Sequence, residues 1–95
     1  MRIERPILIM ELLLQKATAL PDHEIELEFS NGERRVFDVK PYLDKGIFTQ
    51  LKDWNYFSRV QAHSRFVSWP GEQDFSLDTL WARSRVLDAA DQSPA

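Results

Sequence analysis

Histidine, cysteine and paired acidic residues most often carry out acid–base, nucleophilic or metal chemistry, and this sequence uses them sparingly. Cysteine is absent, which excludes disulfides, thiolate nucleophiles and cysteine-ligated zinc. His23 and His63 are the only histidines, and they lack the His-x-x-x-His spacing of a helical zinc motif. His63 falls near the end of a predicted strand, where a solvated or hydrogen-bonded role is expected. The sequence therefore predicts no metal and no other cofactor.

Acidic residues and serines offer the remaining routes to catalysis. Two carboxylates that converge beside a pocket could do acid–base work, but four aspartates stand where turns and helix starts are predicted. These are Asp38, Asp44, Asp53 and Asp74. No serine has a nucleophile-elbow context, and with only three glycines no phosphate-binding loop is expected. The pattern favours a non-enzymatic role and leaves the question of catalysis open.

Three aromatic residues are candidates for binding a partner: Trp54, Tyr56 and Trp81. Trp54 and Tyr56 precede Phe57 on a turn too short to bury all three side chains together. An exposed Trp–Tyr pair would be a suitable anchor, because these residues are enriched at interface hot spots. The alternative is that Trp54 covers the core. Trp81, on the last predicted helix, suits either role, whereas Trp69 is assigned to the core.

Size and charge narrow the classes of function. The chain has 95 residues, 43% of them hydrophobic and 28% charged, which is typical of one globular domain. We predict that domain over residues 1–90, with a frayed tail at 91–95. Twelve Lys and Arg residues are scattered among 15 acids, giving a net charge of −3, so direct nucleic-acid binding is not expected.

The N-terminal stretch MRIERPILIMELLLQKATAL allows three interpretations. Two arginines precede the apolar run 7–14, and the small residues at 17–19 have the spacing of a signal-peptidase site. Glu11 interrupts the run, which is also far shorter than the ~20 apolar residues that span a membrane. A buried first strand is therefore favoured over a secretory signal. A short helix stays open, because periodicity cannot separate it from a strand in so short a run.

The stretch EIELEFSNGERRVFDV predicts a β-hairpin, because apolar residues alternate with glutamates before an Asn-Gly turn. A three-residue Ser-Asn-Gly loop would place Ile25 opposite Phe37 and gather the apolar side chains on one face. A two-residue loop would put part of them on the acidic face, and the hydrophobic pattern sets register. We therefore predict the longer loop, with Gly32 in the left-handed bulge position and Glu28 paired with Arg34 outside.

Capping residues mark short helices after the hairpin. Pro41 suits a first helical turn, Gly46 a C-terminal cap, and Asp53 the N-cap of a turn that contains Phe57. One apolar helical face is predicted from Ile47, Phe48 and Leu51. Four apolar side chains are expected to cover the sheet: Leu43, Phe48, Leu51 and Phe57.

A second pair of short strands is predicted at Val60–His63 and Phe66–Trp69, and Pro70-Gly71 ends it. Ser76 is a good N-cap for a helix that starts at residue 77 and runs to about residue 88. The elements together predict an α+β fold of small antiparallel hairpins, about four to five strands, covered by two or three short helices.

The segments LEFSNGERRVFDVKPYLDKGIFTQLKDWNYFSRV and VSWPGEQDFSLDTLW resemble a family of small prokaryotic domains catalogued as domain of unknown function 2442. The matching positions are Phe29, Asn31, Gly32, Asp38, Leu43, Gly46, Phe48, Leu51, Asp53, Phe57, Trp69, Pro70, Asp74 and Leu80. The resemblance spans residues 9–83. One departure is PGEQD, where Gly71 comes one place earlier than in the family, which leaves the turn type open.

The resemblance implies a compact α+β domain without an assigned activity. Family members occur alone or before a helix-turn-helix, which we do not expect in this chain, and are often encoded beside another small protein. The implied function is a cytoplasmic, non-enzymatic interaction domain, the antitoxin-like or regulatory member of a small protein pair, with no membrane contact. A homodimer through an edge strand or the Trp54 surface is a variant. A small-molecule sensor or uncharacterised enzyme is the alternative, and an acidic inhibitor of a nucleic-acid-binding site is a third.

Overall fold

Two antiparallel sheets form the framework of the computed structural model, which describes residues 12–87. The first sheet has the order β1-β2-β3-β7, with β1 at Leu14–Leu20, β2 at Glu24–Phe29, β3 at Arg34–Asp38 and β7 at Arg85–Val86. The second sheet has the order β4-β5-β6, with β4 at Gln61–His63, β5 at Phe66–Ser68 and β6 at Asp74–Ser76. The fold class is α+β, as predicted, and the described part of the chain has seven strands instead of four or five.

Short helices connect and cover these sheets. Three 3-10 helices span Pro21–His23, Lys40–Tyr42 and Gly46–Lys52. Two α-helices follow, α1 at Trp54–Phe57 and α2 at Leu77–Arg83. Both α-helices begin at the predicted caps: the Asp53 carboxylate accepts from the Tyr56 N–H at 3.2 Å, and the Ser76 hydroxyl accepts from the Thr79 N–H at 3.3 Å.

The register of the β2–β3 hairpin confirms the three-residue loop. Ile25 lies opposite Phe37, and the Phe29 N–H donates to the Glu33 carbonyl at 2.9 Å. Gly32 has a φ of +88°, the left-handed conformation that the bulge position requires and that an L side chain makes costly. One face of the hairpin is therefore buried, and the glutamates of β2 lie on the other face.

The ion pair predicted for this hairpin is wrong in its partner. Glu28 is the cross-strand neighbour of Arg34, but the Arg34 guanidinium bonds to the carboxylate of Glu26. Long side chains reach the diagonal neighbour on an adjacent strand, and Arg34 uses that reach. The hydrogen bond to Glu26 raises the pKa of Arg34, and a hydrogen bond to Asp38 raises the pKa of Lys40.

The predicted strand and β1 overlap little, because β1 shares only Leu14 with the apolar run 7–14 and most of its side chains are not buried. It pairs antiparallel with β2, with an irregularity in register between Leu14 and Lys16. Leu12 and Leu14 are buried in the core, and the Leu14 N–H donates to the Ser64 carbonyl at 2.8 Å, which connects the two sheets. The beginning of the apolar run, residues 7–11, lies outside the described residues, as does the predicted tail 91–95.

The predicted C-terminal helix is too long, because α2 ends at Arg83 and not near residue 88. Ser84 is extended, with φ −95° and ψ 163°, and residues 85–86 pair with β3 as β7. The backbone N–H and C=O groups of residues 85–86 hydrogen-bond to the edge of β3, so they do not continue the hydrogen-bonding pattern of α2. The Arg35 guanidinium also donates to the carbonyls of Trp81 and Ser84, each at 3.3 Å, and so stabilises the end of the helix.

The apolar face predicted for Ile47, Phe48 and Leu51 is only partly correct. Leu51 is buried and Phe48 packs against the core, but the Ile47 side chain is 50% exposed. The segment is a 3-10 helix with about three residues per turn, so Phe48 and Leu51 align while the adjacent Ile47 points elsewhere. Gly46 is left-handed, with φ +50°, and is the first residue of this helix. It was predicted to cap the C-terminal end of the preceding helical turn.

The inner faces of both sheets share one hydrophobic core. Its buried members are Leu12, Leu14, Ile25, Leu27, Phe29, Phe37, Val39, Leu51, Phe57, Val67, Trp69, Phe75 and Leu80. Trp69 is in the core as predicted, and its indole N–H donates to the Phe57 carbonyl at 2.8 Å, so no buried donor is left unpaired there. Leu43, Phe48, Leu51 and Phe57 cover the sheet as predicted.

Candidate functional site

The most exposed aromatic side chain that the structure describes is Trp54, at 45% of its full accessible area. It is the first residue of α1, whose start is fixed by the Asp53 cap. Its ring lies 5.8 Å from the ring of the fully buried Phe57 and 6.5 Å from that of His23, measured between centroids. The indole is therefore held on one side and open on the other. Such a preorganised side chain loses little conformational entropy when it is bound.

The 3-10 segment Pro21–His23 beside Trp54 does not have regular helical backbone angles and forms a loop with an unusual conformation. Asp22 and His23 have φ values of +70° and +57°, the left-handed region that costs a non-glycine residue roughly 1–2 kcal/mol. The surroundings hold this conformation: the Lys40 ammonium donates to the Asp22 carbonyl at 3.0 Å, and the His23 ring lies 4.8 Å from Phe57. Sparsely populated backbone conformations of this kind cluster at functional sites.

The imidazole of His23 also connects this loop to the end of the Gly46–Lys52 helix. Its Nε2 lies 3.1 Å from the Lys52 carbonyl, which can only accept, so Nε2 carries the proton. We call Trp54, His23 and the exposed Asp22 the Trp54 patch.

Tyr56 projects from α1 into a different environment. It is half-buried, and its hydroxyl donates to Gln73 Oε1 at 2.7 Å and accepts from the Gly71 N–H at 2.7 Å. Gln73 is only 2% exposed, and its Nε2 donates to the Ile47 carbonyl at 2.8 Å. The Tyr56 hydroxyl thus connects α1 to the 70–73 turn and is engaged within the fold.

Trp81 lies in a third environment, on α2. The Arg35 guanidinium carbon is 3.8 Å from the centre of its ring, and Phe29 meets the ring edge-on at 5.1 Å. Arg35 also pairs with Glu33 at 2.8 Å. Among residues 12–87, ring contacts connect Trp54 to His23 and Phe57 but not to Trp81. The three predicted site residues therefore do not form one cluster.

A serine–histidine contact is present on the outer face of the second sheet. His63 Nε2 lies 3.0 Å from the Ser68 hydroxyl, and the imidazole stacks on Phe66 with 4.3 Å between centroids. A nucleophile also needs a group that orients the base and donors for an oxyanion. Within the described part of the chain, no carboxylate hydrogen-bonds to this imidazole, and the contact lies on an open sheet face. It serves as a cross-strand pair in the β4–β5 hairpin.

Two further findings bear on the class of site. In residues 12–87, no three His, Asp or Glu side chains are grouped closely enough to hold a metal ion. Over the same residues, no helix has the length and apolar character needed to cross a bilayer.

A groove that the sequence analysis did not foresee lies between the Gly46–Lys52 helix and the 70–73 turn. It is a depression of about 400 Å³, open to solvent, and is lined by Ile47, Thr49, Gln50, Gly71, Glu72 and Gln73. The only sequence feature that pointed to it is the PGEQD departure, which brings Gly71 next to the Tyr56 hydroxyl. A Cβ at Gly71 would lie 2.7 Å from that oxygen, so glycine is required by close approach and not by a positive φ.

The fold and these surfaces define a small α+β domain that presents a fixed, exposed tryptophan and a separate groove. The family model described as "Protein of unknown function (DUF2442)" matches residues 14–86. The chain belongs to this family, which confirms the predicted resemblance. No curated protein and no solved structure matches the chain.

Proposed function

We propose that this domain binds a protein partner and that Trp54 is the anchor of the interface. In the same proposal the domain is the antitoxin-like or regulatory member of a small protein pair in a prokaryotic cytoplasm. The exposure of a rigidly held Trp54 is the observation that carries the proposal. Tryptophan is among the residues most enriched at hot spots, because a large flat ring buries much area at little entropic cost.

The other exposed apolar side chains are weaker candidates for the anchor. These are Ile47, Phe66 and Val86. Phe66 is 38% exposed, but the His63 ring stacks on it nearly parallel, with 13° between the planes, and covers part of its face. Ile47 and Val86 offer smaller side chains, which are less frequent at hot spots than tryptophan.

Within this proposal Tyr56 and Trp81 support the anchor less directly. The Tyr56 hydroxyl fixes α1, the helix that carries Trp54, against the 70–73 turn. Trp81 is half-buried under Arg35, so only the remainder of its surface is available to a partner.

The test is affinity capture from the host's lysate with the tagged full chain, compared with Trp54→Ala and Phe66→Ala. Both substitutions remove an exposed aromatic ring, so Phe66→Ala controls for the loss of surface hydrophobicity. We expect the wild type and Phe66→Ala to retain one small protein in near-equal amount, and Trp54→Ala to lose it. Equal retention by Trp54→Ala, or no protein retained by the wild type, would reject the proposal.

Self-association is the variant that this experiment must separate. Light scattering of the purified wild type at several concentrations gives the mass directly. A dimer that dissociates on Trp54→Ala and not on Phe66→Ala would identify a second copy of the chain as the partner.

A further inference from the structure

Hydrogen bonds fix the two segments that form the groove against each other. Gln73 Nε2 donates to the Ile47 carbonyl at 2.8 Å and to Gln50 Oε1 at 3.1 Å, which holds the turn against the 3-10 helix. On the other side, the Gly71 N–H is held by the Tyr56 hydroxyl. Gln73 makes these bonds while almost fully buried, so loosening the turn would leave polar groups unpaired. The turn and the buried Gln73 are therefore preorganised, which lowers the cost of binding at the groove.

The chemical character of the groove is acidic and acceptor-rich, with one apolar wall. Of the six described residues that line it, only Glu72 is charged, and in residues 12–87 no ion pair engages its carboxylate. Gln50 Oε1 has a second lone pair, and the Thr49 hydroxyl donates to the Gly46 carbonyl, which leaves its oxygen free to accept. The half-exposed Ile47 side chain supplies the apolar surface.

We propose that this groove takes an arginine side chain of the protein partner. The aliphatic stem packs on Ile47, and the guanidinium pairs with Glu72 and reaches the oxygens of Gln50 and Thr49. A guanidinium carries five planar N–H donors and pairs with a carboxylate through two parallel bonds, whereas a lysine ammonium is a single point charge. An arrangement of several acceptors beside one carboxylate therefore favours arginine.

The position of the groove suits the same partner that covers Trp54, so the inference rests on the proposed function. Ile47 and Lys52 lie on one 3-10 helix, and five residues at about 2 Å each separate them by roughly 10 Å along its axis. The Lys52 carbonyl accepts from His23 in the Trp54 patch. A standard interface covers about 800 Å² on each partner, which is ample for two sites at this spacing.

The test is an NMR titration of the isotope-labelled full chain with three blocked tripeptides, Ac-Ala-X-Ala-amide, where X is arginine, lysine or norleucine. We expect the arginine peptide to shift the backbone amides of Gly71 and Gln73 and the side-chain amide of Gln50. Its Kd should be on the order of 1 mM, because a single side chain forms few contacts. The lysine peptide should bind about fivefold more weakly, because an ammonium lacks the planar donors of a guanidinium. The norleucine peptide has the apolar stem without the charge and should leave these resonances unchanged.

Glu72→Gln is the decisive variant, because it keeps the shape of the side chain and removes its charge. It should weaken the arginine peptide by about tenfold or more, since hydrogen bonds to an ionised acceptor are about twice as strong as neutral ones. Glu28→Gln makes the same change on the outer face of β2 and should leave the affinity unchanged. Binding that survives Glu72→Gln, or equal shifts with norleucine, would overturn the proposal.

Trp54→Ala separates the two proposals, because Trp54 does not line the groove. The arginine peptide should bind Trp54→Ala as well as the wild type. If the wild type captures no partner but binds the arginine peptide, the proposed function alone is overturned. Capture that succeeds while the peptide shows no shifts up to about 20 mM, far above the expected Kd, overturns the groove proposal alone.

Discussion

Replacement of Tyr56 by phenylalanine removes the single oxygen that joins α1 to the 70–73 turn. The side-chain oxygen Oε1 of the almost fully buried Gln73 loses its donor, whereas the Gly71 N–H is exposed and can bond to water instead. Leaving one buried acceptor unpaired costs about 1–3 kcal/mol. Removing the hydroxyl also removes the desolvation cost of burying it, which offsets part of this loss. The free energy of unfolding should therefore fall by about 1–2 kcal/mol.

Thermal denaturation followed by circular dichroism measures this loss. For a domain of this size, about 1–2 kcal/mol corresponds to a decrease in Tm of about 5–15 °C. Tyr42→Phe is the matched control: Tyr42 is also half-buried and packs against Phe75 at 4.9 Å, but no hydrogen bond of its hydroxyl is present in residues 12–87. It should change Tm by no more than about 2 °C. Equal shifts for the two variants would refute the assignment of a structural role to the Tyr56 hydroxyl.

Two further predictions concern contacts between elements. Arg35→Ala should lower stability by about 1–3 kcal/mol, because it removes the stacking on Trp81 and the bonds to the end of α2, whereas the exposed Arg34→Ala should leave Tm nearly unchanged. Similar thermal unfolding of these two variants would contradict that assignment. Gly71→Ala should cost about 1–3 kcal/mol through overpacking against the Tyr56 oxygen, and less in a Tyr56→Phe background that lacks it. Strict additivity in that double-mutant cycle would show that the clash is not the cause.

Local patterns in the sequence predicted the parts of the fold that depend on neighbouring residues. The parity of apolar residues in EIELEF and RRVFDV fixed the hairpin register, because a shift by one residue would expose every core side chain. The caps at Asp53 and Ser76 were predictable because the cap residue and the N–H that it binds are three residues apart.

Contacts between distant segments were not predictable in the same way. The end of α2 depends on the edge of β3 and on Arg35, which is far away in the sequence, so a helical pattern that continued to residue 88 gave the wrong boundary. Ile47 was misplaced because apolar spacing does not distinguish a 3-10 helix from an α-helix over seven residues.

The candidate site, like the fold, was predicted from the sequence only where it depends on neighbouring residues. The sequence left two roles open for Trp54, an exposed anchor or a cover of the core, and the structure shows a ring that is partly exposed and also contacts Phe57. The role of the Tyr56 hydroxyl did not follow, because Gln73 and Gly71 approach it only through the tertiary fold. For the same reason, the PGEQD departure was the only indication of the groove in the sequence.

The central claim is that Trp54 provides the largest share of the partner's binding energy. Isothermal titration calorimetry of the captured partner with the wild type, Trp54→Ala and Phe66→Ala tests it most directly. A hot-spot tryptophan is worth about 2 kcal/mol or more, so Trp54→Ala should raise Kd by about 30-fold or more, and Phe66→Ala by less than about threefold. A Trp54→Ala variant that binds within about threefold of the wild type would contradict the account.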